Sequence, residues 1–192
     1  MKQTKKVATT QPLDLNQQLV DAVNHGDMRE VCRCLDAGAD PNTRGRHNEP
    51  LLFELGPWPH ESWPIWRELI KAGADVSVRD KHGSTILHWA AGADQVAFMA
   101  LILDHGMDIE ALDQFGNTAL QEAVLSGAYD AVKELIEREA NLLAKNLKGE
   151  TPMDLVSYAH SYGFHIEFAL EEAIAEREDD EGQDDEEEEV TE

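Results

Sequence analysis

Long apolar runs are missing from this 192-residue chain. The longest, Val96–Leu103, is eight residues, too short for a helix that crosses a bilayer. Lys2, Lys5 and Lys6 have no apolar segment behind them, since Val7–Pro12 supplies none, so no secretory leader is expected. Cysteine is scarce: Cys32 and Cys34 make no disulfide framework, and a reducing, soluble compartment, the cytoplasm, is the expected location. Bases are few, 16 against 39 acids, for a net charge of −23. Binding to nucleic acid or to an anionic membrane needs a basic face, so neither is an expected partner. Also missing are the nucleotide-loop pattern G-x-x-x-x-G-K-S/T, the zinc-protease pattern H-E-x-x-H and the nucleophile-elbow pattern G-x-S-x-G.

What is present is enough apolar residue, 42%, to bury a core. The acid is unevenly placed. Residues 176–192 hold 12 acids and one base, Arg177, and Asp184–Glu189 is six consecutive carboxylates. Such a block repels itself and has nothing to bury, so 177–192 is expected to be a disordered tail. Residues 7–175 still carry 27 acids against 12 bases, and an acidic body favours a partner with a basic or neutral docking surface. Solubility alone is the other reading of that charge.

The middle of the chain repeats every 33 residues. Gly83, Gly116 and Gly149 keep this spacing, as do Thr85, Thr118 and Thr151. Gly73-Ala74-Asp75 returns as Gly106-Met107-Asp108 and, degraded, as Glu139-Ala140-Asn141; an earlier copy starts at Gly38. A period of this size means stacked supersecondary units. Within them, Phe98, Met99, Ile102 and Leu103 recur at helical spacing. Val31, Cys34 and Leu35, then Ile65, Trp66, Leu69 and Ile70, then Val132, Leu135 and Ile136 fill the same slots. The glycines at 38, 73 and 106 fall where a left-handed helix cap suits glycine.

These units resemble ankyrin repeats, on motifs such as Gly83-Ser84-Thr85-Ile86-Leu87-His88-Trp89-Ala90-Ala91 and Gly116-Asn117-Thr118-Ala119-Leu120. The resemblance covers residues 13–176 as about five units, 13–46, 47–79, 80–112, 113–145 and 146–176, after an N-terminal extension 1–12. It implies an all-α solenoid of helix-turn-helix units, a non-enzymatic role, and protein–protein binding on the concave face, with no cofactor. His88 falls in the histidine slot of the motif, which implies a hydrogen-bonding role between turn and neighbour.

The ends read as caps. Asp14 is a candidate N-cap for a helix carrying Leu15, Leu19, Ala22 and Val23. Phe164–Glu176 places Ile166, Ala169, Leu170, Ala173 and Ile174 on one face and glutamates off it, an acidic outer face that would stop the stacking. Unit two departs from the pattern. Its turn-glycine slot reads as His47, three extra residues fall between its helices, and the loop Gly56–Pro64 holds three prolines with Trp58 and Trp63. Those two tryptophans either anchor an interface or fold back over the core; Trp66, in a regular core slot, is expected to be buried. Trp89 is expected to be core.

The resemblance places the turn tips and inter-helix breaks on the binding face. The candidate contacts are therefore Trp58, Trp63, Lys81, His82, Ser84, Gln114, Phe115, Asn117, Leu125, Leu147 and Lys148. Phe115, Leu125 and Leu147 are apolar where solvent is expected, and three together would form a patch. No catalytic or metal-ligating set is expected. Cys32 and Cys34, two apart on a helix, point to different sides. Three functional readings follow: a monomeric adaptor or inhibitor docking a protein, an immunity protein blocking a basic toxin such as a nuclease, and a chaperone-like accessory protein whose acidic tail shields a basic client.

Overall fold

The computed structural model describes residues 14–54, 63–159 and 162–188. Those residues form nine α-helices and short 3-10 turns. Among them the extended pairing is limited to two isolated bridges, Arg44 with Pro50 and Arg79 with Thr85. The chain divides into two compact units, Met1–Ala74 and Asp75–Glu192.

In the first unit, α1 (Leu15–Asn24) packs on α2 (Met28–Asp36). Leu19, Val20 and Val23 of α1 meet Val31 and Cys34 of α2, all buried. Burial raises the Cys34 thiol above its ordinary pKa, as expected of a thiol filling a leucine slot. Asp14 occupies the N-cap of α1 but its side chain makes no capping bond. Asp27 does cap, its Oδ1 accepting the backbone N–H groups of Arg29 and Glu30, both at 3.1 Å.

Unit two of the repeat series departs further than its sequence suggests. Among the described residues its first helix is a 3-10 turn, Leu51–Phe53, whose three side chains are buried. The left-handed slot of its turn is Asn48, at φ 63°, rather than His47. The bridge Arg44–Pro50 sits 35 residues before Arg79–Thr85, so Asn48 corresponds to Gly83. Asn48 to Gly73 is then 25 residues against 23 from Gly83 to Gly106, an insertion of two rather than three. The second helix, α3 (Trp63–Lys71), buries Ile65, Trp66, Leu69 and Ile70 as expected.

The second unit holds three successive helix pairs. These are α4 (Ile86–Gly92) with α5 (Val96–Asp104), and α6 (Ala119–Ser126) with α7 (Tyr129–Glu137). Then α8 (Pro152–Leu155), extended by a 3-10 turn Val156–Tyr158, leads to α9 (Gly163–Glu188). First helices pack on first helices, α4 on α6 and α6 on α8; second helices do likewise, α5 on α7 and α7 on α9. Ala90, Ala91, Ala119, Ala123 and Ala131 let the helices approach, and Leu87, Phe98, Met99, Ile102, Leu120 and Leu135 fill the space between. Each such large side chain contributes about 1.5–3 kcal/mol of burial. Helices of this length are marginal alone, so the neighbour supplies what propensity does not. One repeat also caps the next: Asp94, itself left-handed at φ 56°, accepts the N–H of Ala131 at 2.7 Å where Ala128 offers no side-chain cap.

At the C-terminal end, α9 is described through Glu188, past residue 176. Glu and Gln favour the continuation, Gly182 and the four aspartates between 177 and 188 oppose it, and turns already nucleated by packing extend cheaply. Arg177 ties α9 to the C-terminal end of α7 and the turn after it, donating to Ile136 O at 3.1 Å and Ala140 O at 2.8 Å. The outer face is not purely acidic. Ile166, Leu170 and Ala173 are buried, Ala169 and Ile174 only half so, and Phe164 and Phe168 stand 77% and 59% exposed.

Candidate functional site

The site is built on three turns cast from one template. Asp80, Asp113 and Asn146 lie 33 residues apart, and each uses Oδ1 to accept two backbone N–H groups ahead of it. Asp80 takes His82 and Ser84 at 2.7 and 2.9 Å, Asp113 takes Phe115 and Asn117 at 2.8 Å each, and Asn146 takes Lys148 and Glu150 at 2.9 and 3.0 Å. The side chain replaces a backbone acceptor and locks the tip. Neighbouring tips are joined through the main chain: Gln114 N donates to His82 O at 3.1 Å, and Leu147 N to Phe115 O at 3.0 Å. The side chains of 81, 82, 114, 115, 147 and 148 are left facing solvent in a fixed row.

Behind each turn a second template repeats at Thr85, Thr118 and Thr151. Each threonine heads a short helix whose third residue folds back on it: His88, Gln121 and Asp154. The sequence singles out His88 alone, and it behaves as expected. Its Nδ1 accepts the Thr85 N–H at 3.2 Å, so Nε2 carries the proton donated to Asn117 O at 3.0 Å, in the next repeat. Burial holds the His88 pKa below the usual histidine value. The neutral form is therefore the native one, and stability falls as acid brings the unfolded chain's histidine to protonation. Gln121 bridges in the same manner, its Nε2 donating to Ala144 O at 3.2 Å and Glu150 O at 2.8 Å.

Between the last turns opens a groove of about 430 Å³. Leu155 is its buried floor, Leu125 a half-buried wall, and Phe115, Leu147 and Tyr158 its exposed rim, at 59%, 80% and 55% exposure. Asn117, Asn146, Lys148 and Glu150 supply the polar edge. Three expected contacts, Phe115, Leu125 and Leu147, thus come together in one concavity. Lys81, His82 and Gln114 are exposed on the same row of tips, and Ser84 is half-buried. Asn117 lines the groove but is a buried structural residue, not a free contact: its Oδ1 accepts from Asn146 Nδ2 at 3.0 Å. Trp89 is half-buried rather than core, its indole N–H donated to Asp80 Oδ2 at 3.1 Å. Trp58 and the Trp63 side chain lie outside the described residues.

Tyr158 and Leu155 escape the sequence reading. Tyr158 follows Leu125 by 33, as Leu125 follows Gly92, so the repeat ruler points to it; the degraded final unit hides the match.

Beside the groove, Glu122 lies one turn before Leu125 on α6. Burial first, and the Asp113 charge second, raise its pKa above the usual carboxylate value, against a lowering hydrogen bond from Ser126. A raised native pKa means this group favours the folded state most at low pH and loses that contribution as pH rises through its native value. Glu122→Gln is therefore expected to melt above the parent at neutral pH, with the difference vanishing near pH 4. Thermal melts across that range check it.

The residues match proteins of known class. The family model for ankyrin repeats, in three copies, matches residues 61–146. The chain is 30% identical over 154 residues to the mitochondrial disaggregase of Bos taurus, covering 74% of this chain and 21% of that protein. It is 36% identical over 101 residues to ankyrin repeat and SOCS box protein 6 of Homo sapiens, covering 50% and 24%. Against putative ankyrin repeat protein YahD of Escherichia coli (strain K12) it is 28% identical over 133 residues, covering 69% and 65%. The chain spans about a quarter or less of the first two relatives, and under two thirds of the bacterial one.

Proposed function

The chain belongs to the ankyrin-repeat proteins, and on that premise we propose that its second unit docks a partner protein on the row of turn tips, with an apolar side chain of the partner seated in the Phe115–Leu125–Leu147–Tyr158 groove. Ankyrin repeats are protein–protein interaction modules and typically non-enzymatic. The observation that carries the reading is the concentration of exposed apolar side chains, Phe115, Leu147 and Tyr158, around one concavity on tips whose backbone is locked twice over. Isolated exposed apolar residues are ordinary; a contiguous set around a groove is not. Rigid tips lower the ordering cost of association. The net charge of −23 favours a partner whose contact surface is neutral or basic.

Inhibiting a basic toxin and shielding a basic client are special forms of the same reading, separated by what the captured partner is. The test is quantitative binding of a purified partner to the 192-residue chain. Phe115→Ser, Leu147→Ser and Tyr158→Ser are each expected to weaken binding by about 1–3 kcal/mol, roughly five- to more than a hundredfold, with melting temperature unchanged. Equal affinity for all three variants and the parent would reject the groove as the docking site.

A further inference from the structure

A second concavity lies away from the turn tips, between α7 and α9, with a volume of about 350 Å³. Two sets of contacts fix how these helices run. Tyr129, at the start of α7, lies near Tyr162 and His165, with ring centroids 6.4 and 5.9 Å away. Arg177, far along α9, bonds the carbonyls of Ile136 and Ala140 at the other end of α7. The two helices are therefore parallel, and the groove follows them for about two turns, roughly 12 Å.

Its two ends differ chemically. The leading end is aromatic: Tyr129, with Lys133 held over its ring at 5.9 Å, and the exposed Phe168. The floor is Ile136, Ala169 and Ala173. The trailing end is edged by Glu137, Glu172 and Glu176. None of these three carboxylates has an ion pair among the described residues, and Arg177, the one base nearby on α9, is spent on backbone carbonyls. A trough lined about equally by polar and apolar surface, with its carboxylates gathered at one end, is complementary to a segment that is apolar along one side and basic at one end. The segment must also satisfy its own backbone, because the walls are helices whose backbone groups are already bonded and offer no ladder to an extended strand. A helix meets both demands.

We propose that the α7–α9 groove docks a basic amphipathic helix of a partner protein, its apolar side chains seated against Phe168, Ile136 and Ala173 and its Lys or Arg residues facing Glu137, Glu172 and Glu176. The surface is separate from the turn-tip groove and does not depend on it. Lys133 sets the polarity: the basic end of the bound helix points toward Glu176, away from the aromatic end. An anionic membrane surface is disfavoured by the same carboxylates.

The probe is a fluorescently labelled helical peptide of about 14 residues, roughly 20 Å long, with leucines on one face and lysines on the other. It is titrated into the full chain at physiological ionic strength, where screening confines attraction to close contact. Two control peptides carry glutamine in place of leucine, or glutamate in place of lysine. The expected result is binding roughly tenfold tighter than either control, weakened roughly tenfold by Phe168→Ser and by Glu172→Lys with Glu176→Lys. Phe115→Ser with Leu147→Ser, at the other groove, is expected to leave it unchanged. Equal binding of the leucine-free peptide would reduce the effect to diffuse charge and overturn the proposal, as would indifference to Phe168→Ser. Sedimentation showing a dimer of the chain that Phe168→Ser dissociates would also overturn it, by assigning the groove to a second copy.

Discussion

Gln121→Leu is expected to cost about 2–4 kcal/mol of stability, a larger loss than any surface change discussed above. Leucine fills much of the same volume, so no cavity drives the effect. The loss comes from polar groups left behind. Gln121 is fully buried; its Oε1 accepts the Thr118 N–H at 2.9 Å, and its Nε2 satisfies the carbonyls of Ala144 and Glu150. Leucine strands the buried Thr118 N–H and the half-buried Ala144 carbonyl, and takes from Glu150 O one of its two donors, leaving the Asn146 N–H at 3.0 Å. It also cuts the bridge between two turns that hold the candidate docking face. Melting should fall by roughly 5–15 °C in a domain of this size. Gln121→His should recover most of it, because His88 performs the same bridging one repeat earlier, from Thr85 N–H to Asn117 O. A Gln121→Leu melt within about 2 °C of the parent, below the shift that 1 kcal/mol produces, would show that the bridge carries little of the stacking energy.

Gly116→Val is expected to be comparably severe, at about 3 kcal/mol or more, for two separate reasons. Gly116 sits at φ 74°, where a β-branched residue is strained by roughly 1–2 kcal/mol. In addition, a Cβ there would lie 2.9 Å from both the backbone N and the Cγ of Leu147. The backbone nitrogen cannot swing away without breaking its bond to Phe115 O. Gly149 provides the contrast. It has φ 82° but nothing within 4 Å of its added Cβ, so Gly149→Val should show the strain alone. Side-by-side melts of the two variants separate strain from collision. Similar losses would mean that the close approach of Leu147 to the neighbouring turn is not a constraint. Gly116→Val is also expected to impair partner binding, since Leu147 rims the groove.

The sequence makes the stacked helix pairs legible because stacking obliges each repeat to solve the same problem with the same residue types. Gly83, Gly116 and Gly149 keep their spacing because each turn needs a left-handed residue. Thr85, Thr118 and Thr151 keep theirs because each helix needs the same cap. Where chemistry permits several residues in one slot, the pattern fades although the role persists. His88, Gln121 and Asp154 share a capping position, and His88 alone matches the family letter. Asn48 takes the place of a turn glycine for the same reason, since asparagine tolerates the left-handed region.

Part of the candidate site is visible in the letters alone. Phe115, Leu125 and Leu147 stand out as apolar residues at solvent positions. Leu155 and Tyr158 belong to a final unit whose first helix is one turn long; the 33-residue ruler reaches Tyr158 from Leu125, but the degraded letters around it hide the match, and packing alone brings Leu155 to the groove. Asn117 shows that a tip position is not always an outward one, because its side chain is held inward by Asn146. The acidic end is illegible for another reason. The run of carboxylates hides from the letters the bonds by which Arg177 ties α9 to the end of α7.

Whether the turn tips of the second unit grip a protein through the Phe115–Leu147–Tyr158 groove is decided most directly by photo-crosslinking in the full chain with its purified partner. A crosslinking amino acid is placed at Leu147, on the rim of the groove, and separately at Asp104, exposed at the end of α5 among the second helices. The expected result is a crosslink to the partner from position 147, abolished by Tyr158→Ser and absent from position 104. A crosslink from 104 and none from 147 would contradict docking on the tips.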